Sequence, residues 1–265
     1  MENHSYDQII GSSDAPYINQ LAGQHGIATN FYAESHPSLP NYVAMTSGST
    51  QGISDDDDPP AHPLDVPNLF SLLPGGGSRS LQESMPSNCY RSDSGEYAVH
   101  HNPQAYYVNL GGDCATYNVP LSDPPDLSAR FTFVTPNLID DMHDGTVADG
   151  DSWLSTFVPK VTSSDEYAAG TSAVFITWDE DDRLGDNQVP TLVIAPSVAP
   201  GTRVADRLDH YAMLRATQEM LGVTPLLGNA ATAADLRTPV PPLGGQPHTR
   251  LPRGGERVFS HLWRC

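Results

Sequence analysis

Residues 173–182, Ala173-Val174-Phe175-Ile176-Thr177-Trp178-Asp179-Glu180-Asp181-Asp182, decide the fold class. The nearly continuous apolar run 173–178 reads as a strand buried on both faces, the pattern typical of parallel sheets. Acidic residues follow at its carboxyl end, where open parallel α/β sheets bind their ligands. Working outward, residues 189–195 (Val-Pro-Thr-Leu-Val-Ile-Ala) read as a second such strand, less regular at Pro190. Residues 130–135 (Arg-Phe-Thr-Phe-Val-Thr) and 27–32 (Ile-Ala-Thr-Asn-Phe-Tyr) read as further strands.

Helical patterns separate these strands. Residues 13–25 place Ile18, Leu21 and Ala22 at helical spacing, with Ser13 or Asp14 as N-cap and Gly26 as a left-handed stop. A second helix opens at about Ser38, with Pro40 in its first turn and Gly48 at its end. Residues 66–73 form a short amphipathic helix. Residues 151–161 form another, capped by Asp151 or Ser152. Residues 209–222 carry Ala212, Met213, Ala216, Met220 and Leu221 inward, with Asp209 as cap and Gly222 as stop. Strands alternating with helices imply an α/β layered domain with a largely parallel central sheet. The domain runs over residues 1–223, with a loop-rich insertion at about 49–130. The Pro/Gly/Arg-rich stretch 224–265 reads as an irregular C-terminal tail.

Composition limits the partners. Lys plus Arg total 13 against 32 Asp plus Glu, a formal charge of −19 over 265 residues. Lys160 is the single lysine. Phosphate backbones are bound by an excess of Lys and Arg, so nucleic acid is not an expected partner. No apolar stretch reaches the length of a transmembrane helix. Oligomeric state is not legible. The thiols Cys89 and Cys114 flank a polar, Tyr-rich loop, and read either as a disulfide closing it or as two buried free thiols. Residues 1–6 carry no basic-then-apolar export pattern.

The chemistry gathers after the strands. Glu34-Ser35-His36-Pro37-Ser38 follows the first, Asn137 through Gly145 follows 130–135, and Asp179-Glu180 follows 173–178. Ser38 at a helix N-terminus suits a phosphoryl group, because free N–H groups and the helix dipole favour anions there. A hydroxyl is a weak nucleophile unless a base or metal activates it. Carboxylates with a neutral amide can hold a divalent cation, which would neutralise phosphoryl oxygens as well. Asp140, Asp141 and Asp144 are candidates for a second cation. The run Asp55 to Asp58 could bind calcium but reads mainly as a solvated loop, as charge runs usually are.

Five motifs occur in order: Glu2-Asn3-His4-Ser5-Tyr6-Asp7; His36-Pro37-Ser38-Leu39-Pro40-Asn41-Tyr42; His100-His101-Asn102-Pro103; Pro136-Asn137 through Asp141-Met142-His143-Asp144-Gly145; and Thr177-Trp178-Asp179-Glu180. With them the chain resembles the phosphoesterase family of acid phosphatases and phospholipases C, within the alkaline-phosphatase-like superfamily. The resemblance implies a three-layer αβα sandwich and a metal-dependent phosphomonoesterase with a phosphoserine intermediate at Ser38. It implies one divalent cation held by Glu2, Asn3, Ser38, Asp179 and Glu180. It implies that His101 and His143 contact phosphate and assist the leaving group, and that Asn41 joins them in binding substrate. A histidine donating to a phosphoryl or leaving-group oxygen is favoured when protonated, which suits acid pH. Cys89 and Cys114 resemble a family pair, and the family's members are commonly exported. The substrate would be a small phosphorylated molecule or a phospholipid head group. The alternatives are a phospholipase C-type phosphodiesterase and a non-catalytic, cation-binding extracellular relative. His210 resembles a recurring family position and reads mainly as a capping and packing residue. The family has an apolar strand directly before Glu-Asn, so the first strand is expected to be missing here, together with an export signal.

Overall fold

The structure is a computed structural model and describes residues 1–236. Its first half contains α1 (Tyr6–Ile9), α2 (Pro16–Gln24), β1 (Gly26–Ala28), β2 (Phe31–Tyr32), α3 (Ser38–Ser47), α4 (Leu69–Leu72), β3 (Ser78–Gln82), α5 (Gly112–Tyr117) and β4 (Asn118–Pro120). The second half contains β5 (Phe131–Thr135), α6 (Val147–Thr162), α7 (Asp165–Ala168), β6 (Val174–Thr177), β7 (Thr191–Ile194), β8 (Thr202–Val204), β9 (Leu208–Asp209) and α8 (His210–Leu221). The strands form a four-stranded sheet β6-β7-β1-β8, a three-stranded sheet β4-β3-β5 and the pair β2-β9. Of the six strand pairings, four are parallel, as the sequence predicts for most of the sheet. Helices α2 and α6 pack on one another, as do α3 and α8, and the sheets lie among them.

Two expected strands differ. Residues 27–32 split into β1 and β2: β1 pairs with β7 and β8, and β2 continues beside β9. β7 runs antiparallel to both neighbours rather than parallel. Residues 178–190 hold no crossover helix, so the chain doubles back beside β6. A parallel return needs a crossover, usually helical. The stretch read as a loop-rich insertion contributes β3 and β4, two strands of the second sheet. It also holds its own apolar cluster around Phe70, Tyr97, Tyr106 and Tyr107, pinned by a Cys89–Cys114 disulfide with a Cα–Cα distance of 5.4 Å.

The helix ends show how the sequence is used. α3 opens at Ser38 and closes on Gly48, whose φ of 78° and contact with the Leu227 carbonyl leave no room for a Cβ. All ten α3 residues are buried, so its hydroxyls are satisfied within the core: Thr46 Oγ1 donates to Tyr42 O at 2.9 Å and Ser47 Oγ to Val43 O at 2.9 Å. α8 begins and ends as predicted, with Asp209 accepting from the Ala212 N–H and Gly222 left-handed. α2 does not end on a left-handed Gly26, which is the first residue of β1. Asp151 does not cap its own helix. α6 starts earlier, on Thr146, and the Asp151 carboxylate accepts from the Tyr17 and Ile18 N–H groups at the start of α2. That cap joins two helices 133 residues apart in sequence. Residues 224–236 are not loose: Leu227, Ala230 and Leu236 are buried. The remainder of the expected tail, including Cys265, lies outside the described residues.

Candidate active site

Three chain segments meet at the carboxyl ends of β5 and β6. The Glu2 N–H donates to Asp141 O at 2.8 Å, and the Asp179 N–H donates to Met1 O at 3.0 Å. Glu2 is thereby set between the loop after β5 and the end of β6. The first turn of α3 supplies the third component: Ser38 Oγ donates to Glu2 Oε2 at 3.3 Å. One helical turn on, the Tyr42 hydroxyl donates to Glu2 Oε1. Tyr42 also stacks on His101, with ring centroids 5.3 Å apart and planes 16° apart. His101 presents Nε2 at 3.4 Å from Glu2 Oε2 and Nδ1 at 3.2 Å from Asp141 Oδ2.

The loop after β5 is folded around Asn137, whose Oδ1 accepts from the Ile139 and Asp140 N–H groups, both at 3.0 Å. Asp141 Oδ1 then accepts from the His143 N–H at 2.8 Å. Gly145 closes the loop so tightly that a Cβ would meet the Ile139 carbonyl. The motif Asn137…Asp141-Met142-His143-Asp144-Gly145 is therefore a built turn that aims Asp141 inward. His143 stays half-exposed, 5.9 Å from His101 by ring centroids and paired with Asp144 at 2.8 Å. His101 rather than His100 is the buried member of its pair, with 2% exposure.

The electrostatics of this cluster follow from its burial. Glu2, Asp141 and Asp179 are at most 1% exposed and stand beside one another. Burial, with Asp179 and Asp141 nearby, pushes the Glu2 carboxyl well above its usual range. Burial likewise pushes Asp141 up to about 8 and raises Asp179. Burial, with Asp179 adding to it, raises Glu180 to about 8. Burial, with His100 and His143 nearby, pushes His101 well below the usual imidazole value.

The donor set fits a divalent cation. Asp179 is set against Glu2 and Ser38, and no well-formed hydrogen bond saturates either of its buried carboxylate oxygens. Asn3 Oδ1 is also buried without one, and Asp141 Oδ2 and His101 Nε2 have only the ion-pair-distance contacts given above. Buried oxygens of this kind are costly unless paired with charge. Glu2, His101 and Asp141 each offer a ligand atom within 4.8 Å of the others. Glu2 thus belongs both to that group and to the expected Glu2, Asn3, Ser38, Asp179 and Glu180 set.

Not every expected residue faces the cluster. Asn41 is a correction: its Oδ1 accepts from the Glu34 and Ser35 N–H groups, and its Nδ2 donates to Ser35 O and Pro37 O. It braces the loop that leads to Ser38 instead of facing a substrate. Glu180 is held by His36, with Nδ1 at 2.7 Å from Glu180 Oε2. The Leu39 N–H at the start of α3 is not free for a phosphoryl oxygen, because it donates to Asp56 Oδ1 at 2.9 Å. His210 does pack and orient: its Nε2 lies 2.7 Å from the Asp179 carbonyl oxygen, and its ring meets Phe31 edge-on. The sequence reading missed Tyr42, His36 and Asp56. Tyr42 had one available signal, its i+4 spacing from Ser38 on a helix already predicted.

Comparison with known proteins bears on the fold and the family. Solved structures of the same shape include a protein of the alkaline phosphatase superfamily from Vibrio parahaemolyticus, with a TM-score of 0.57 at 14% identity over 88% of this chain and 68% of that one. A phosphonate monoester hydrolase from Silicibacter pomeroyi matches with a TM-score of 0.53 at 11% identity over 89% of this chain and 74% of that one. The fold is therefore the α/β fold that these proteins share. The chain itself belongs to the Phosphoesterase family, whose model matches residues 11–224. A phosphatidylinositol-3-phosphatase of Mycobacterium tuberculosis is 34% identical over 88% of this chain and 78% of its own length. A probable acid phosphatase of Kluyveromyces lactis is 28% identical over 82% of this chain and 56% of its own. The chain spans a little over half the length of such fungal relatives. These relatives are named phosphatases. No helix among the described residues is long and apolar enough to cross a membrane.

Proposed function

We propose that the protein is a cation-dependent phosphomonoesterase that works through a phosphoserine at Ser38. The observation that carries this reading is the buried contact of Ser38 Oγ with Glu2, beside the buried Asp179 carboxylate. A bound divalent cation would supply neutralisation of phosphoryl oxygens and a lower hydroxyl pKa, with Glu2, Asn3, Ser38 and Asp179 as holding residues and Glu180 behind Asp179. Ser38 Oγ attacks phosphorus in line as the bond to the leaving alcohol breaks. Its proton would pass to Glu2 Oε2, the acceptor it already has, once the positive charge of a bound cation holds that carboxylate ionised. His143, half-exposed at the rim, donates to the departing oxygen, while His101, fixed by Tyr42 and Asp141, orients the phosphoryl group. Water then hydrolyses phosphoserine and restores the hydroxyl. The disulfide fits work in an oxidising, extracytoplasmic compartment.

The test is hydrolysis of a chromogenic phosphomonoester, a phosphatidylinositol monophosphate and phosphatidylcholine, with and without chelator. Monoester turnover that chelator and Ser38→Ala both abolish is the expected result. Turnover undiminished in Ser38→Ala would sink the nucleophile assignment. Exclusive turnover of phosphatidylcholine would move the protein to the phosphodiesterases.

A further inference from the structure

The loop that leaves β6 beyond Glu180 is built rather than slack. At its base the Asp181 N–H donates to Asn187 Oδ1 and the Asn187 N–H donates to Asp181 Oδ2, both at 2.9 Å. Asn187 Nδ2 donates to Ser35 O at 3.1 Å, which ties the loop to the segment leading to Ser38. Within the loop the Arg183 N–H donates to Asp181 Oδ1 at 2.7 Å, and the Leu184 N–H to Asp182 Oδ1 at 3.2 Å. The tip reaches solvent, with Leu184 88% exposed.

Arg183 is held at this tip in an uncommon conformation. Its φ is 64°, left-handed backbone that disfavours a long side chain. Asn187, at 68°, tolerates the same region because a short polar side chain can bond locally. Strain maintained by a surrounding network points to a use for the residue that bears it. The Arg183 guanidinium is also unpaired. Arg79, Lys160 and Arg215 each pair with a carboxylate, and Arg207 lies over the Tyr32 ring. Arg183 forms no ion pair with any described residue. Its charge nevertheless reaches the site. Burial and Asp179 raise Glu180, and Arg183 acts against them; burial lowers His36, and Arg183 adds to it. Arg183 therefore stands beside the clamp in which His36 bridges Glu180 and Asp181, two residues ahead of Ser38.

Glu2, Asp179, Glu180 and Asp181 wall the site of a chain with net charge −19. A second anion carried in on a substrate needs a counter-charge of its own there. We propose that Arg183 forms a second anion subsite at the rim, taking a further phosphate carried by the leaving alcohol of the substrate. The proposal rests on the phosphomonoesterase reading and narrows it to substrates with two phosphates. The planar guanidinium can meet two phosphate oxygens at once, which an ammonium cannot do with the same geometry. The second phosphate could belong to a soluble bisphosphate or to the diester link of a phosphorylated lipid head group; the chemistry recognised is the same.

The experiment measures hydrolysis of inositol 1,3-bisphosphate, micellar phosphatidylinositol 3-phosphate and p-nitrophenyl phosphate by wild type, Arg183→Gly and Arg183→Lys. Glycine suits left-handed backbone, so Arg183→Gly should keep or raise the melting temperature. It is expected to raise KM for the soluble bisphosphate and for the lipid about 10- to 100-fold, with kcat and both constants for p-nitrophenyl phosphate unchanged. Arg183→Lys, which keeps the charge, recovers part of the loss. Calorimetric binding of inositol 1,3-bisphosphate and of inorganic phosphate to Ser38→Ala, with and without Arg183→Gly, repeats the comparison in the absence of turnover. There only the bisphosphate should lose affinity, so the subsite remains testable if the proposed activity fails. Equal losses on all three substrates, or no loss on the bisphosphate, overturn the proposal. A lower melting temperature in Arg183→Gly also overturns it, because the side chain would then be holding the loop. A loss confined to the micellar lipid overturns it too, by placing Arg183 on the lipid surface instead of at the second phosphate.

Discussion

Two groups of acidic residues and a histidine in this molecule are nearly the same in composition and opposite in physics. Asp55, Asp57 and His62 lie in an exposed loop, and Asp55 Oδ1 meets His62 Nε2 at 2.5 Å. There the hydrogen bond from His62 holds the Asp55 carboxyl below its usual value. Glu2, Asp141 and His101 lie in the core, and burial drives both carboxyls up and the imidazole down. Water stabilises the first set of charges whether or not anything binds. The second set is shut off from bulk solvent by burial, and several of its polar atoms lack a well-formed hydrogen bond within the protein. Burial, rather than the number of carboxylates, therefore separates a reactive cluster from a solvated one.

The sharpest way to break this contrast is to remove the nucleophile. Ser38→Ala should lower phosphomonoester turnover roughly 10⁴-fold with the melting temperature nearly unchanged, since the loss falls on a step only the hydroxyl performs. Next in size is the cation. Asp179→Asn should weaken binding of Mg²⁺, Mn²⁺, Ca²⁺ or Zn²⁺, whichever the wild type takes up, by about 100-fold or more, whereas Asp57→Asn should leave it unchanged. Calorimetric titration of both variants checks this, and equal losses would erase the distinction between the two groups. Tyr42→Phe comes third. It keeps the ring stacked on His101 and removes only the hydroxyl that donates to Glu2. Cation affinity should fall about 10-fold with little change in stability. A variant that binds as tightly as wild type would show that Glu2 needs no such anchor.

Much of this was legible in the sequence, and the gaps have physical reasons. α3 and α8 were readable because their stops are local: Gly48 and Gly222 both adopt left-handed backbone. Ser38 and Asp179 stood out because each lies beside a predicted helix or strand end, whereas Glu2 was named only through the family resemblance. The direction of β7 was not readable, since an apolar run does not encode which way its strand is paired. The Asp151 cap on α2 was not readable either, because it acts across 133 residues of sequence while imitating a local cap. His36 and Asp56 have the same cause: their partners, Glu180 and the Leu39 N–H, are set by tertiary structure.

The smallest expected effect concerns Glu34, which sits between the two extremes. Its carboxyl is partly buried beside Asp209, accepts from the His210 N–H at 3.2 Å, and is raised to about 7, chiefly by burial. An unfolded Glu titrates near 4.5. Between those values the folded chain holds more protons than the unfolded one, so raising the pH destabilises it. The contribution is complete below about 4.5 and is lost as pH climbs through about 7. Asp55, with its lowered pKa, works in the opposite sense: its contribution is present above the unfolded value and lost as pH falls through the folded one. Glu34→Gln keeps an acceptor for the His210 N–H and removes the titration. In cation-free protein, wild type should therefore lose more thermal stability than Glu34→Gln between pH 4.5 and 7, while Asp55→Asn should change only the slope at lower pH. Melting curves of the three proteins across that range measure it. Parallel profiles for wild type and Glu34→Gln would mean that Glu34 reaches water freely and belongs with the exposed loop, not with the core.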